Sequence, residues 1–178
     1  MTTTAIAARS LAAFAASAVA TVRLLARQRL RAPRDQVGRR VAFADGSASQ
    51  VYRETARVGA IADPVVLLVC FRLRLAGRSR LLHAAFRVES LVHTPLFAGF
   101  PGFGTKLWLT DTGTGVYRGL YEWDGEARAR AYAETLCRLL RLVSEPGSVA
   151  FHVLPGRRRD EVLATAHARP GPWWEVAA

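Results

Sequence analysis

The stretch that most restricts the fold runs from Pro101 to Asp124, P-G-F-G-T-K-L-W-L-T-D-T-G-T-G-V-Y-R-G-L-Y-E-W-D. Two arms rich in large side chains, 106–109 and 116–123, flank Asp111-Thr-Gly-Thr-Gly115, whose residues tolerate positive φ, and this predicts a β-hairpin. Trp108, Tyr117, Tyr121 and Trp123 are interleaved there with Lys106, Arg118 and Glu122. A ribbon carrying so many large side chains has to line or close something. Alternation puts Lys106, Trp108 and Thr110 on one face of the first arm. On the second, Arg118 and Glu122 face one way and Tyr117, Tyr121 and Trp123 the other. The loop leaves the register open, and a one-residue slip exchanges the faces, so either set can meet Trp108.

The chain has 178 residues, 51% of them hydrophobic, which suits one packed domain with appendages rather than two domains. Its net charge of +11 raises the question of nucleic acid, and the distribution answers it. Residues 1–40 hold eight arginines against Asp35, a net of +7, which leaves only +4 for the other 138 residues. Lys106 is the only lysine among 25 basic residues, a bias that reads as base composition rather than as a phosphate-binding surface. No nucleic-acid partner is expected. Cys70 and Cys137 sit in apolar runs without metal-ligand spacing and read as small buried hydrophobes in a reducing, cytoplasmic setting.

Residues 5–31 predict an alanine-rich helix with Leu11, Phe14, Ala18, Val22 and Leu25 on an apolar stripe and Ser10, Ser17, Thr21 and Gln28 opposite. The 13 uncharged residues between Arg9 and Arg23 are too few for a span of about 20. Ala18-Val19-Ala20 resembles a signal-cleavage site, but the reading preferred is a helix docked on a partner surface, with peripheral membrane contact through residues 5–31 as the lesser alternative. Next, Asp45-Gly46 joins two alternating segments into a hairpin within 39–58. Val65 to Leu75 reads as a central strand with Arg72 and Arg74 on one face, and 81–93 as a helix that places Glu89 and His93 four apart. The following loop holds Leu96, Phe97, Phe100 and Phe103 among glycines and prolines, so it covers a core, meets another subunit or rims a greasy pocket. Asp124 is the expected N-cap of a helix reaching Ser144. A last strand, 148–154, puts His152 opposite Val149, Phe151 and Val153; a short helix over 157–166 and a tail held by Trp173 and Trp174 close the chain.

From Val65 to Leu154 the order is strand, helix, strand, strand, helix, strand, which is a ferredoxin-like βαββαβ core of class α+β. The implied division is a basic helix and linker over 1–38, the hairpin and core over 39–156 (core 62–156), and a C-terminal helix and tail over 157–178. The words P-G-F-G-T-K-L-W-L-T-D, G-V-Y-R-G-L-Y-E-W-D and A-R-A-Y-A from Ala129 resemble the YdhR-like mono-oxygenase family of the dimeric α+β barrel superfamily across residues 62–156. That resemblance implies a homodimer packed sheet against sheet, with a pocket in each subunit between the sheet and its helices or loops.

The four histidines (His83, His93, His152 and His167) lack metal spacing, and there is no GxGxxG at a helix start, no P-loop, no HExxH and no nucleophile elbow. No cofactor and no metal are expected. The residues that remain are those aimed from the sheet. His152 is a titratable imidazole on a central strand; Trp108, Arg118 and Tyr121 join it as catalytic candidates, although Arg118 and Glu122 read more simply as an ion pair. Phe97, Phe100, Phe103, Lys106, Trp123 and Arg72 are the pocket candidates. The resulting expectation is a cofactor-independent enzyme for an apolar small molecule, mono-oxygenase-like, on an aromatic or polyketide-like substrate. A pericyclase-like cyclase or isomerase would use the same residues, and a non-catalytic ligand-binding or membrane-associated protein is the third reading.

Overall fold

In the computed structural model of this chain, residues 3–74, 94, 97–111, 113–165 and 170–177 are described, 3–11 as backbone only. The elements are α1 (Thr3–Ala26), β1 (Leu30–Arg31), β2 (Arg40–Ala42), β3 (Ala48–Arg57), β4 (Pro64–Arg72), β5 (Phe103–Asp111), β6 (Val116–Asp124), α2 (Glu126–Val143), β7 (Ala150–Pro155) and α3 (Arg159–Ala164). All strand pairs are antiparallel. They lie in the order β1-β3-β5-β6-β4-β7, and β2 pairs with the other end of β3. Within it β5-β6-β4-β7 has the strand order of the ferredoxin-like fold, so the chain is α+β of that class. The helix expected over 81–93, with Glu89 and His93, lies outside the described residues.

β4 is apolar at every position from Val65 to Val69 because both faces of the sheet are covered. One face, carrying Val65, Leu67, Val69, Tyr121, Trp123 and Val153, is packed by Ala129, Tyr132, Ala133 and Cys137 of α2 and by the loop with Phe97 and Phe103. On the other face, Val66, Leu68, Leu107, Leu109 and Leu120 meet Val162 and Leu163 of α3, Phe43 of the first hairpin and Val176 of the tail. The tail is fixed by a bridge from Val176 to Phe43 and by Trp174 stacking on His152 at 4.0 Å. α3, the first hairpin and the tail thus cover the apolar face of the sheet opposite α2.

Several local expectations change in detail. α1 stops at Ala26 because Gln28 takes positive φ (52°) and Leu30–Arg31 turns into a strand beside β3. Its docked side is Phe14, Ser17 and Thr21, held against the loop where Phe14 meets Phe100 at 5.8 Å, so Val19, Val22 and Leu25 stay exposed. The polar stripe packs because its small side chains let the helix backbone approach Gly99. Asp124 does not cap α2, whose N-cap is Gly125; its carboxylate accepts the Asp63 and Ala62 amides and pairs with Arg128.

Candidate functional site

The β5–β6 register pairs Lys106 with Tyr121 and Trp108 with Gly119. This settles which face meets Trp108: the Tyr121 and Trp123 side, under α2 and the loop. Gly119 matters here because the Tyr121 ring leans across it, and a methyl at that position would lie 2.5 Å from the ring.

β3 lies on the other side of β5, with Thr55 opposite Lys106 and Arg53 opposite Trp108. A bulge between Val51 and Arg53 decides what this strand presents. Without an extra residue, positions 51 and 53 would share a face. With it, Val51 goes to the α3 side while Arg53 turns toward Trp108, its guanidinium 5.2 Å from the ring centre. Arg53 also donates to the Thr94 hydroxyl at 2.7 Å, and the Trp108 indole N–H donates to the Thr55 hydroxyl at 3.2 Å.

Lys106 is the centre of this cluster. Its Nζ lies 3.1 Å from the ring centre of Trp108, 4.4 Å from that of Phe97 and 4.8 Å from that of Tyr121, and the residue is only 6% exposed. Among the described residues no carboxylate pairs with it. Burial pulls its pKa well below the ordinary lysine value, and the nearby Arg53 charge pushes the same way. Behind the rings, the Tyr121 and Tyr132 hydroxyls lie 3.5 Å apart, both raised in pKa by burial. The cluster comes nearest to solvent at Tyr52 and Arg53, which are half-buried.

The expected site residues therefore divide. Trp108, Tyr121, Lys106 and Phe97 come together. Phe103 and Trp123 are buried behind them, 5.8 Å apart, and Phe100 leans on Tyr132 at 5.2 Å; the phenylalanine loop is part of the core cover. Arg118, His152 and Arg72 belong to the opposite face or the rim. Arg118 does not pair with Glu122: it donates to Ser49 at 2.8 Å and Ser47 at 2.7 Å, pairs with Asp45 at 3.4 Å and stacks over Phe43. Glu122 turns to Arg158. Arg72 is an exposed partner of Glu145. His152 is lowered in pKa by desolvation and by Arg130 while Trp174 covers its ring, so it stands across the sheet from Trp108. Sequence reasoning missed Arg53, Thr55 and Thr94; the pairing of β3 with β5 and the bulge bring in Arg53 and Thr55, and Thr94 joins them through its hydrogen bond from Arg53.

Among the described residues no group of three or more His, Cys, Asp or Glu could hold a metal. No described helix is long and apolar enough to cross a membrane.

No protein-family model matches the chain, and no curated protein sequence matches it. Similar solved structures include a ferredoxin-fold protein of Listeria monocytogenes related to antibiotic biosynthesis monooxygenases (TM-score 0.44, 13% identity, 64% of this chain and 66% of that one). A monooxygenase-like protein of Listeria innocua matches at TM-score 0.42 and 14% identity, over 61% of this chain and 63% of that one. A heme-degrading enzyme of Listeria monocytogenes matches at TM-score 0.42 and 15% identity, over 61% of this chain and 70% of that one. The matched region spans just under two thirds of the first two structures.

Proposed function

We propose that the chain is a cofactor-independent small-molecule enzyme, mono-oxygenase-like as in the YdhR-like family its sequence resembles, with its site at Lys106, Arg53, Thr55, Trp108 and Tyr121. The observation that carries this reading is the Lys106 amine held against three ring faces with no acidic partner among the described residues. A dry, electropositive, ring-walled site suits an aromatic or polyketide-like molecule that becomes an anion during reaction. An activated methylene is the fitting case: its proton leaves, the carbanion reacts with O2, and the CH2 group and O2 end as a carbonyl and water. The Arg53 guanidinium, 5.2 Å from the Trp108 ring centre, supplies the positive potential that stabilises the anion.

The test is oxygen uptake with hydroxylated aromatics and activated methylene compounds, with products identified by mass. One O2 consumed per carbonyl formed, lost in Lys106→Met, supports the reading. Conversion that proceeds equally without oxygen supports the cyclase reading, and no conversion of any compound counts against an enzyme.

A second reading, peripheral membrane association, is favoured by Val19, Val22 and Leu25 lying bare on α1 next to Arg23 and Arg27. Such a helix can lay its apolar stripe into an anionic lipid surface while its arginines meet the headgroups. Sedimentation with anionic vesicles but not with zwitterionic ones, abolished by Val22→Asp, supports it. Equal behaviour with both counts against it.

A further inference from the structure

Every other cation in this chain is an arginine; the single lysine of the 178 residues is the one enclosed by Trp108, Phe97 and Tyr121. The two side chains differ in one respect that matters in such a place. A guanidinium stays protonated in any protein, whereas an amine can give up its proton and take it back. A sequence that uses arginine at 24 of its 25 basic positions keeps lysine where burial makes the neutral form accessible.

We infer that Lys106 is the proton acceptor of the site: its neutral amine takes a proton from an acidic C–H or O–H of an aromatic or enolisable ligand, leaving the ligand anion beside Arg53. This rests on the functional reading above and assigns its first step. The proton moves from ligand carbon or oxygen to Nζ, the bonding pair stays on the ligand, and no oxidant takes part. The surroundings serve both states of the amine. Without ligand, desolvation and the Arg53 charge favour the neutral form. Once the ammonium forms, three ring faces stand at cation–π distance and the new anion is its counter-ion. Among the described residues, the titratable and charged groups turned to this face are Arg53 and Tyr52 from β3, Tyr121 from β6, and Tyr132 and Cys137 from α2; burial raises the pKa of Tyr121, Tyr132 and Cys137, so none of those three competes as a base at neutral pH.

One lysine per chain makes the test direct. Protein labelled with 15N at the lysine ε-nitrogen gives one side-chain resonance in the intact chain, and 4-nitrophenol serves as an acidic probe whose ionised form is coloured. The resonance is expected at the neutral-amine position in mildly alkaline buffer. In buffer more acidic than the free phenol's own pKa, saturation is expected to shift it to the ammonium position while the bound probe shows the phenolate absorption band. A resonance already at the ammonium position without ligand overturns the inference; if the phenol still binds and Lys106→Met abolishes that binding, the site reading survives. A neutral amine that ignores saturating phenol, with no phenolate band, overturns both. Lys106→Gln, which brings no charge and cannot accept the proton, is expected to bind the phenol without producing the band, and a full band in that variant also overturns the inference.

Discussion

A lysine buried without a carboxylate partner among the described residues costs the fold something at every pH where it is charged, and the sign can be worked out. In the unfolded chain its pKa is the ordinary 10.5; in the folded chain it is well below that. Between the two values the unfolded state binds more protons, so stability rises with pH across that window and is lost as pH falls toward the folded value. Lys106→Met fills similar volume without titrating. Its gain in stability over the wild type is therefore expected to be larger at neutral pH than near pH 10.5, read by urea unfolding at each pH. A gain that does not change with pH would show that the amine stays charged. Gly119 gives a second prediction at this scale. Gly119→Ala forces the Tyr121 ring off the sheet next to Lys106, at a cost of about 1–3 kcal/mol in urea unfolding, and it should also weaken binding of an aromatic ligand. The sequence exposed Lys106, Trp108 and Tyr121 because strict alternation along β5 and β6 holds for them. It did not expose Arg53, since a bulge is an insertion that alternation cannot register, and the two faces of β3 exchange at that point.

Among the elements, α3 and β3 are joined by the contact between Arg159 and Glu54, which are 11% and 4% exposed. The other Glu54 oxygen has no partner among the described residues. Arg159→Leu leaves a buried carboxylate alone and is expected to cost about 3–5 kcal/mol, measured by denaturant unfolding. A cost under about 1 kcal/mol would show the pair to be surface-like. The docking of α1 depends on Gly99, where a methyl would overlap the Ser17 carbonyl oxygen. Gly99→Ala is therefore expected to speed hydrogen exchange over 12–26 while leaving β4 and β6 protected. The elements themselves were legible: both hairpins follow turn chemistry at Asp45-Gly46 and 111–115, and β4 follows its unbroken apolar run. Which side of α1 docks was not. An apolar stripe predicts burial only when the partner surface is unspecified; here backbone proximity at Gly99 selects the small polar side.

For the molecule as a whole, the face of the sheet opposite α2 is covered by α3 and the tail. A chain ending at residue 158 uncovers Val66, Leu68, Leu107, Leu109 and Leu120, and its sedimenting mass is expected to rise above that of the full chain through self-association. An unchanged mass would show that the cover does not stand in for a partner. The strand order was legible from the succession of elements, but this cover was not, since a tail with two tryptophans does not say which face it will meet. The same division of faces frames the central claim, that the small-molecule site lies at Lys106 and Trp108 and not at His152 and Arg118. The most direct test is native mass spectrometry of freshly purified protein followed by denaturing extraction, on the wild type, Lys106→Met and Arg118→Leu. An aromatic molecule retained by the wild type and by Arg118→Leu but lost from Lys106→Met is the predicted result. The same molecule retained by Lys106→Met and lost from Arg118→Leu would contradict it and move the site across the sheet.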